Sequence, residues 1–418
     1  MPTSTTLIAL LSLAVATVAF NAPAVQAASD SITEAAIAES KLEAKWDIPR
    51  LSQAPRTFPA PGLEEEGVEA LFYEGLPYKG KATRVFAYMG IPERKDNEKV
   101  PGIVLVHGGG GTAFAHWVRL WNSRGYAAIA LDTNGATPKE GGGYEMHEYG
   151  NLPNRNEFQH INDPVEDQWT YHSVANIMLA NSLLGSRPEV DANRIGLTGV
   201  SWGGYLTCVT SGVDSRFKFA APVYGCGFLG DGSGWVDSLT KHGADGTKWL
   251  GLWDPARYLK NARMPFLWVY GTNDDAYSFD GVQKSYQLLG KDQSTLTTLV
   301  RMPHGHGPVS ENPEEIHTFA NHHLKGSPAL THINGQERND DEVTVRYTAS
   351  RPIVRAELNF TKDRSDWLKR HWETTPAQVD AQKQQVRVTL PAGTSFYYVN
   401  LIDEQGLVVS SRHVEIAP

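Results

Sequence analysis

Gly199-Val200-Ser201-Trp202-Gly203 sets a serine between glycines, an arrangement that suits a sharp turn presenting a hydroxyl for nucleophilic attack. A serine hydroxyl is a weak nucleophile unless a general base takes its proton and an acid orients that base. Two later segments supply both, in the order serine, acid, histidine. Asp274 and Asp275 close the run Tyr270-Gly271-Thr272-Asn273-Asp274-Asp275, and His304 and His306 stand in Met302-Pro303-His304-Gly305-His306-Gly307. His306 is the expected base, because the glycines on either side of it permit a tight loop beside the serine; His304 is the alternative. His107-Gly108-Gly109-Gly110-Gly111 adds a stretch whose backbone amides can approach a reacting centre with no side chain in the way. Gly109 and Gly110, with the amide of Trp202, are the expected donors to a tetrahedral oxyanion. The His-x-His pair is also half of a metal site, but no cysteine or carboxylate at ligand spacing completes it. The chemistry these residues can carry is acyl transfer through an acyl-serine, with no metal and no cofactor.

Such groups work only if rigid elements hold them. Short apolar runs at residues 84–89, 102–106, 126–131, 195–198, 217–223, 266–270 and 296–301 read as strands. Residues 116–123 and 169–184 read as helices, the second with Val174, Ile177, Met178, Leu183 and Leu184 at helical spacing. Alternation of this kind predicts a mainly parallel sheet covered on both faces. The serine then lies between a strand and the helix that starts at Trp202, with the glycine run, the acid and the histidines each just past the end of a strand. After residue 328 the period changes to two: Val343, Val345, Leu358, Phe360, Val388 and Tyr398 fall on faces expected to point inward. A small antiparallel β-sandwich over residues 331–418 is the predicted result. Trp367 and Trp372 lie between its strands, where they can meet either a sugar or the neighbouring domain. The short link at residues 325–330 favours docking.

Composition narrows the partners. The 418 residues carry a net charge of −9 and no basic cluster, which excludes nucleic acid or an anionic membrane held by bulk electrostatics. Residues 7–20 form an apolar segment, and Ala24-Val25-Gln26-Ala27 has small residues where a signal peptidase reads, although no Lys or Arg precedes the segment. The expected organisation is a signal peptide at 1–27, an extension at 28–60 packed on the domain surface, a catalytic domain at 61–328 and the β-domain. A secreted or periplasmic protein with no membrane association after cleavage follows. The two cysteines, Cys208 and Cys226, fit no metal or redox motif and are expected as buried thiols, although export would permit a disulfide.

The order HGGGG, GVSWGG, YGTNDD and PHGHG resembles α/β-hydrolases of the dienelactone hydrolase, acetyl xylan esterase and prolyl-oligopeptidase-like branch, over residues 65–328. That resemblance implies the α/β-hydrolase fold. It implies an acid placed as G-x-x-D and a base in a G-H-G context, which point to Asp274 and His306. The residues Asp275-Ala276-Tyr277 replace the apolar residue or proline that the branch has after its acid. The activity implied is a secreted serine carboxylic-ester hydrolase, acetyl xylan esterase-like, acting on a small-molecule or polysaccharide ester. Two rival readings are an oligopeptidase-like peptidase and a catalytically silent carbohydrate-binding protein. The first lacks room for the large N-terminal propeller usual in oligopeptidases. Tyr224, Phe228, Trp235, Trp249, Trp253 and Tyr277 form a candidate aromatic rim, more in keeping with packing than with sugar stacking.

Overall fold

Val100–Val106 and Ala127–Leu131 are buried at every position, a pattern that a strand covered on both faces produces. In the computed structural model, which describes residues 31–95, 97–150, 158–290 and 292–417, they lie side by side near the middle of a nine-stranded sheet. The expected signal segment, residues 1–27, lies outside the described residues. In spatial order the sheet runs Thr57–Pro59, Glu69–Glu74, Arg84–Gly90, Ala127–Leu131, Val100–Val106, Val190–Val200, Ala220–Val223, Phe266–Gly271 and Ser294–Leu299. The first three joins are antiparallel and the rest parallel.

The strand order reverses between Val100–Val106 and Val190–Val200. The chain leaves the first for Ala127–Leu131 on one side, then returns through the buried helix Trp169–Gly185 to the second on the other. A crevice opens beyond the carboxyl ends of strands at such a reversal. The glycine run follows one of these two strands and Ser201 follows the other.

The extension at 28–60 is more integrated than expected. Thr57–Pro59 pairs with Glu69–Glu74 as the edge strand of the sheet. Trp46 stacks on Tyr171 at 5.2 Å and donates its indole N–H to the Tyr171 carbonyl at 3.0 Å. Both cysteines are buried free thiols.

The C-terminal region is an antiparallel sheet of eight strands, from His332–Asn339 to Val414–Glu415. It folds over on itself at Glu373–Asp380, which pairs with Ile353–Thr361 along its first part and with Gln385–Thr389 along its last. Val343, Val345, Leu358 and Phe360 fill the enclosed core as expected, and Val388 packs against it only partly buried. Tyr398 does not point into it. Tyr397 does, and Tyr398 joins the hydrolase core together with Trp372, Phe396, Leu407 and Val409. With a second core on its outer face, the strand Phe396–Asp403 is buried at every position, so period-two alternation no longer tells which face is the inner one.

Candidate active site

Ser201 occupies a backbone conformation that side chains rarely adopt, with φ 59° and ψ −118°. This costs about 1–3 kcal/mol and persists only when the surroundings enforce it. Here they do. The Ser201 N–H is held by the Val223 carbonyl at 2.9 Å, and the helix Trp202–Ser211 begins at the next residue. A Cβ on Gly203 would run into the Val106 carbonyl, and one on Gly199 into the Gly203 carbonyl. The turn is possible only because both motif glycines lack side chains.

The acid strand Phe266–Gly271 delivers Asp274, 2% exposed, to the same edge. One carboxylate oxygen accepts the amides of Ala276 and Tyr277 at 2.9 and 2.7 Å, and the other lies 2.7 Å from His304 Nδ1. Across the ring, His304 Nε2 is 2.8 Å from Ser201 Oγ. Asp275 is largely exposed and reaches only to 3.8 Å from the same imidazole. The ligand atoms of Asp274, Asp275 and His304 gather within 4.8 Å of one another, yet this is also what a serine–histidine–aspartate relay requires.

His306, the expected base, does not meet the serine. Its Nδ1 lies 2.7 Å from Glu311 Oε1, and its Nε2 accepts the Gly108 N–H at 2.8 Å. The glycines act differently from the expectation. Gly305 and Gly307, with φ of 140° and 149°, turn the chain after His304 and into the helix Pro308–Glu311. His304, nearer the end of strand Ser294–Leu299, therefore faces Ser201, and His306 turns instead to the Gly108 amide and Glu311. The local signal that distinguishes them is Glu311, a carboxylate just downstream that claims the second histidine.

In the glycine run, the Gly111 N–H bonds the Gly108 carbonyl at 3.3 Å, closing a turn around Gly109 and Gly110. A Cβ on Gly108 would stand 3.2 Å from Ser201 Cβ, so the turn starts against Ser201. Gly110 is exposed with open space around it. Trp202 opens its helix, where an N–H has no partner within the helix and the dipole is positive. His107 is buried, as a loop-shaping residue should be: its Nε2 accepts the Thr133 N–H at 2.9 Å and its Nδ1 donates to the Gly108 carbonyl at 2.5 Å.

The aromatic rim is mostly interior. Tyr224, Phe228, Trp249, Trp253 and Tyr277 are buried, and Trp235 alone is half-buried, against Trp202 at 4.9 Å. Tyr224 was not expected to support the base loop, but its hydroxyl donates to the Pro303 carbonyl at 2.6 Å and its ring lies 4.6 Å from His304. Burial pulls the His304 imidazole down; the hydrogen bond and charge of Asp274, with a smaller contribution from Asp275, outweigh it and leave the pKa above its ordinary value.

Two family models match the chain: the prolyl oligopeptidase family over residues 158–325 and acetyl xylan esterase (AXE1) over residues 63–235. The uncharacterized peptidase YuxL of Bacillus subtilis (strain 168) is 25% identical over 222 residues, which are 49% of this chain and 30% of that protein. The chain thus matches less than a third of that relative's length. Among solved structures, acetyl xylan esterase from Paenibacillus sp. R4 superposes with a TM-score of 0.51 at 20% identity, covering 66% of this chain and 92% of that one. Acetyl xylan esterase 1 from Thermoanaerobacterium sp. JW/SL YS485 gives 0.48 at 18% identity, over 67% and 88%.

Proposed function

We propose that this α/β-hydrolase is a serine carboxylic-ester hydrolase of acetyl xylan esterase-like specificity, deacylating carbohydrate or plant-derived esters. One arrangement carries the reading: Ser201 Oγ, His304 and Asp274 in an unbroken hydrogen-bonded line of 2.8 and 2.7 Å. Ser201 Oγ attacks the ester carbonyl while His304 Nε2 takes its proton. Asp274 keeps the other ring proton on Nδ1 and stabilises the imidazolium. The amides of Gly109 and Trp202 receive the oxyanion; Gly108 is not available, since its N–H is already given to His306. Collapse of the intermediate expels the alcohol, which takes the proton back from His304, and a water molecule repeats the sequence on the acyl-serine to release the acid. The match to the acetyl xylan esterase model over residues 63–235 supports the ester as substrate.

A peptidase is the second reading, favoured by the prolyl oligopeptidase match over residues 158–325. A fluorophosphonate probe followed by a substrate panel separates the two. Labelling should be confined to the peptide containing Ser201, with turnover of acetyl, feruloyl, glucuronoyl-methyl or p-nitrophenyl esters well above that of a peptide amide. Faster cleavage of the amide would make it a peptidase, and absence of labelling would leave a silent binding protein.

The rate has a defined pH dependence. Only neutral His304 can accept the serine proton, so kcat/KM should rise with pH through a value above the ordinary 6.5 of histidine. Asp275 favours the charged ring, so Asp275→Asn should move this limb to lower pH with the plateau rate kept. A limb moved upward, or left in place, would remove Asp275 from the electrostatics of the base.

A further inference from the structure

The loop that presents the base carries a second imidazole backed by a second carboxylate. His306 Nδ1 lies 2.7 Å from Glu311 Oε1, and the other oxygen of Glu311 lies 2.7 Å from His116 Nε2. The Glu311 side chain is only 6% exposed, and its backbone carbonyl accepts the Trp117 indole N–H at 3.1 Å. The His306 ring is packed against Phe114 at 4.7 Å and Trp117 at 5.9 Å. Its Nε2 accepts the N–H of Gly108, the residue on which a Cβ would stand 3.2 Å from Ser201 Cβ. An imidazole nitrogen that accepts an amide proton carries none itself, so the hydrogen bond to Glu311 fixes the proton on Nδ1.

We propose that His306 and Glu311 form a positioning pair that aims the Gly108–Gly111 turn at Ser201 and so sets the oxyanion-binding amides. This rests on the ester-hydrolase reading of the same site. The geometry resembles the catalytic line, carboxylate to imidazole to acceptor, but the second imidazole holds a backbone N–H where the first holds a hydroxyl. A proton added to His306 Nε2 would set two N–H groups against each other and push Gly108 away, moving the amides that follow it. The groups facing His306 are Glu311 on the following helix, His116 on the helix Ala115–Ser123 and His107 on the glycine run. Burial, ahead of His107 and His116, outweighs Glu311 and keeps the His306 pKa below the ordinary value. The turn therefore stays set at neutral pH and is released in acid.

Glutamine at 306 can place an amide oxygen near the Nε2 position and still accept the Gly108 N–H, without titrating; alanine cannot. Removing one oxyanion donor outright costs about 100- to 1,000-fold, so misaiming the turn in His306→Ala should lower kcat by about 30-fold with KM little changed, and His306→Gln should recover most of the loss. In the wild type, log kcat/KM should fall in acid with a slope approaching two, one proton at His304 and one at His306. His306→Gln should fall with a slope of one. His306→Ala within about threefold of wild type, or a slope of two retained in His306→Gln, overturns the proposal. The slope comparison still decides if His306→Ala does not fold. Fluorophosphonate labelling of Ser201 in the same preparations tells this failure from failure of the ester-hydrolase reading, since without labelling in the wild type the site itself has been misread.

Discussion

His304→Ala should lower kcat/KM on a small ester by about a thousandfold, equivalent to about 4 kcal/mol of transition-state stabilisation. His304 is the only imidazole within hydrogen-bond reach of Ser201 Oγ among the described residues. Ser201→Ala removes the attacking oxygen and should leave only the residual rate that oxyanion donors and binding provide. Because the two residues act as one unit, the double variant should be no slower than Ser201→Ala alone. The loss in His306→Ala should stay well below that in His304→Ala, since His306 touches a loop amide and not Ser201 Oγ. Steady-state kinetics on the folded variants, with circular dichroism as the check on folding, decide it. A larger loss in His306→Ala than in His304→Ala would return the base to His306.

What was legible in the sequence follows physical range. Short-range rules located Ser201, because strand, glycine-flanked serine and helix are adjacent in sequence and each constrains the next. The parallel core strands were legible because burial on both faces leaves an unbroken apolar run. Asp274 is preferred over Asp275 only through the resemblance, whose G-x-x-D spacing from Gly271 selects it, and the structure shows how the neighbour differs: its carboxylate is largely exposed. The choice between His304 and His306 was not legible from flanking glycines, since these mark where a chain bends and not which residue lies inside the bend. Tyr398 failed for a similar reason. Period-two alternation gives two faces to a strand, and only the tertiary arrangement tells which face meets which core. Glu69–Glu74 was missed because its burial is partial and its ends are charged.

Stopping the chain after Leu330 should yield insoluble protein, because the β-domain completes the hydrolase domain in three places. It covers the outermost strand Ser294–Leu299, where the Thr298 N–H is given to Ser410 Oγ at 2.8 Å and the Thr298 carbonyl accepts Asn400 Nδ2 at 3.2 Å. An uncovered edge strand invites pairing with other chains. It also buries Phe279, 1% exposed, beneath Trp372, Tyr398 and His413. Each large apolar side chain returned to water costs about 1.5–3 kcal/mol, against a total stability of about 5–15 kcal/mol for a typical domain. Finally, it anchors the acid loop. The Asn273 side-chain amide donates to the carbonyls of Trp367, Leu368 and Arg370 at 2.9–3.1 Å, and the Trp367 indole N–H donates to the Asp274 carbonyl at 2.8 Å. Trp367→Phe keeps an aromatic six-membered ring but removes the indole N–H donor with part of the ring, so it should stay soluble and lose at least about threefold in kcat, in line with a net hydrogen-bond worth of about 0.5–1.5 kcal/mol. A detachable sugar-binding module predicts the opposite pattern: a soluble truncation with full activity on a small ester that has lost only its pull-down on insoluble xylan. Measuring solubility, small-ester turnover and xylan pull-down on the truncation and on Trp367→Phe separates the two, and a soluble, fully active truncation would rule out a structural role for the β-domain.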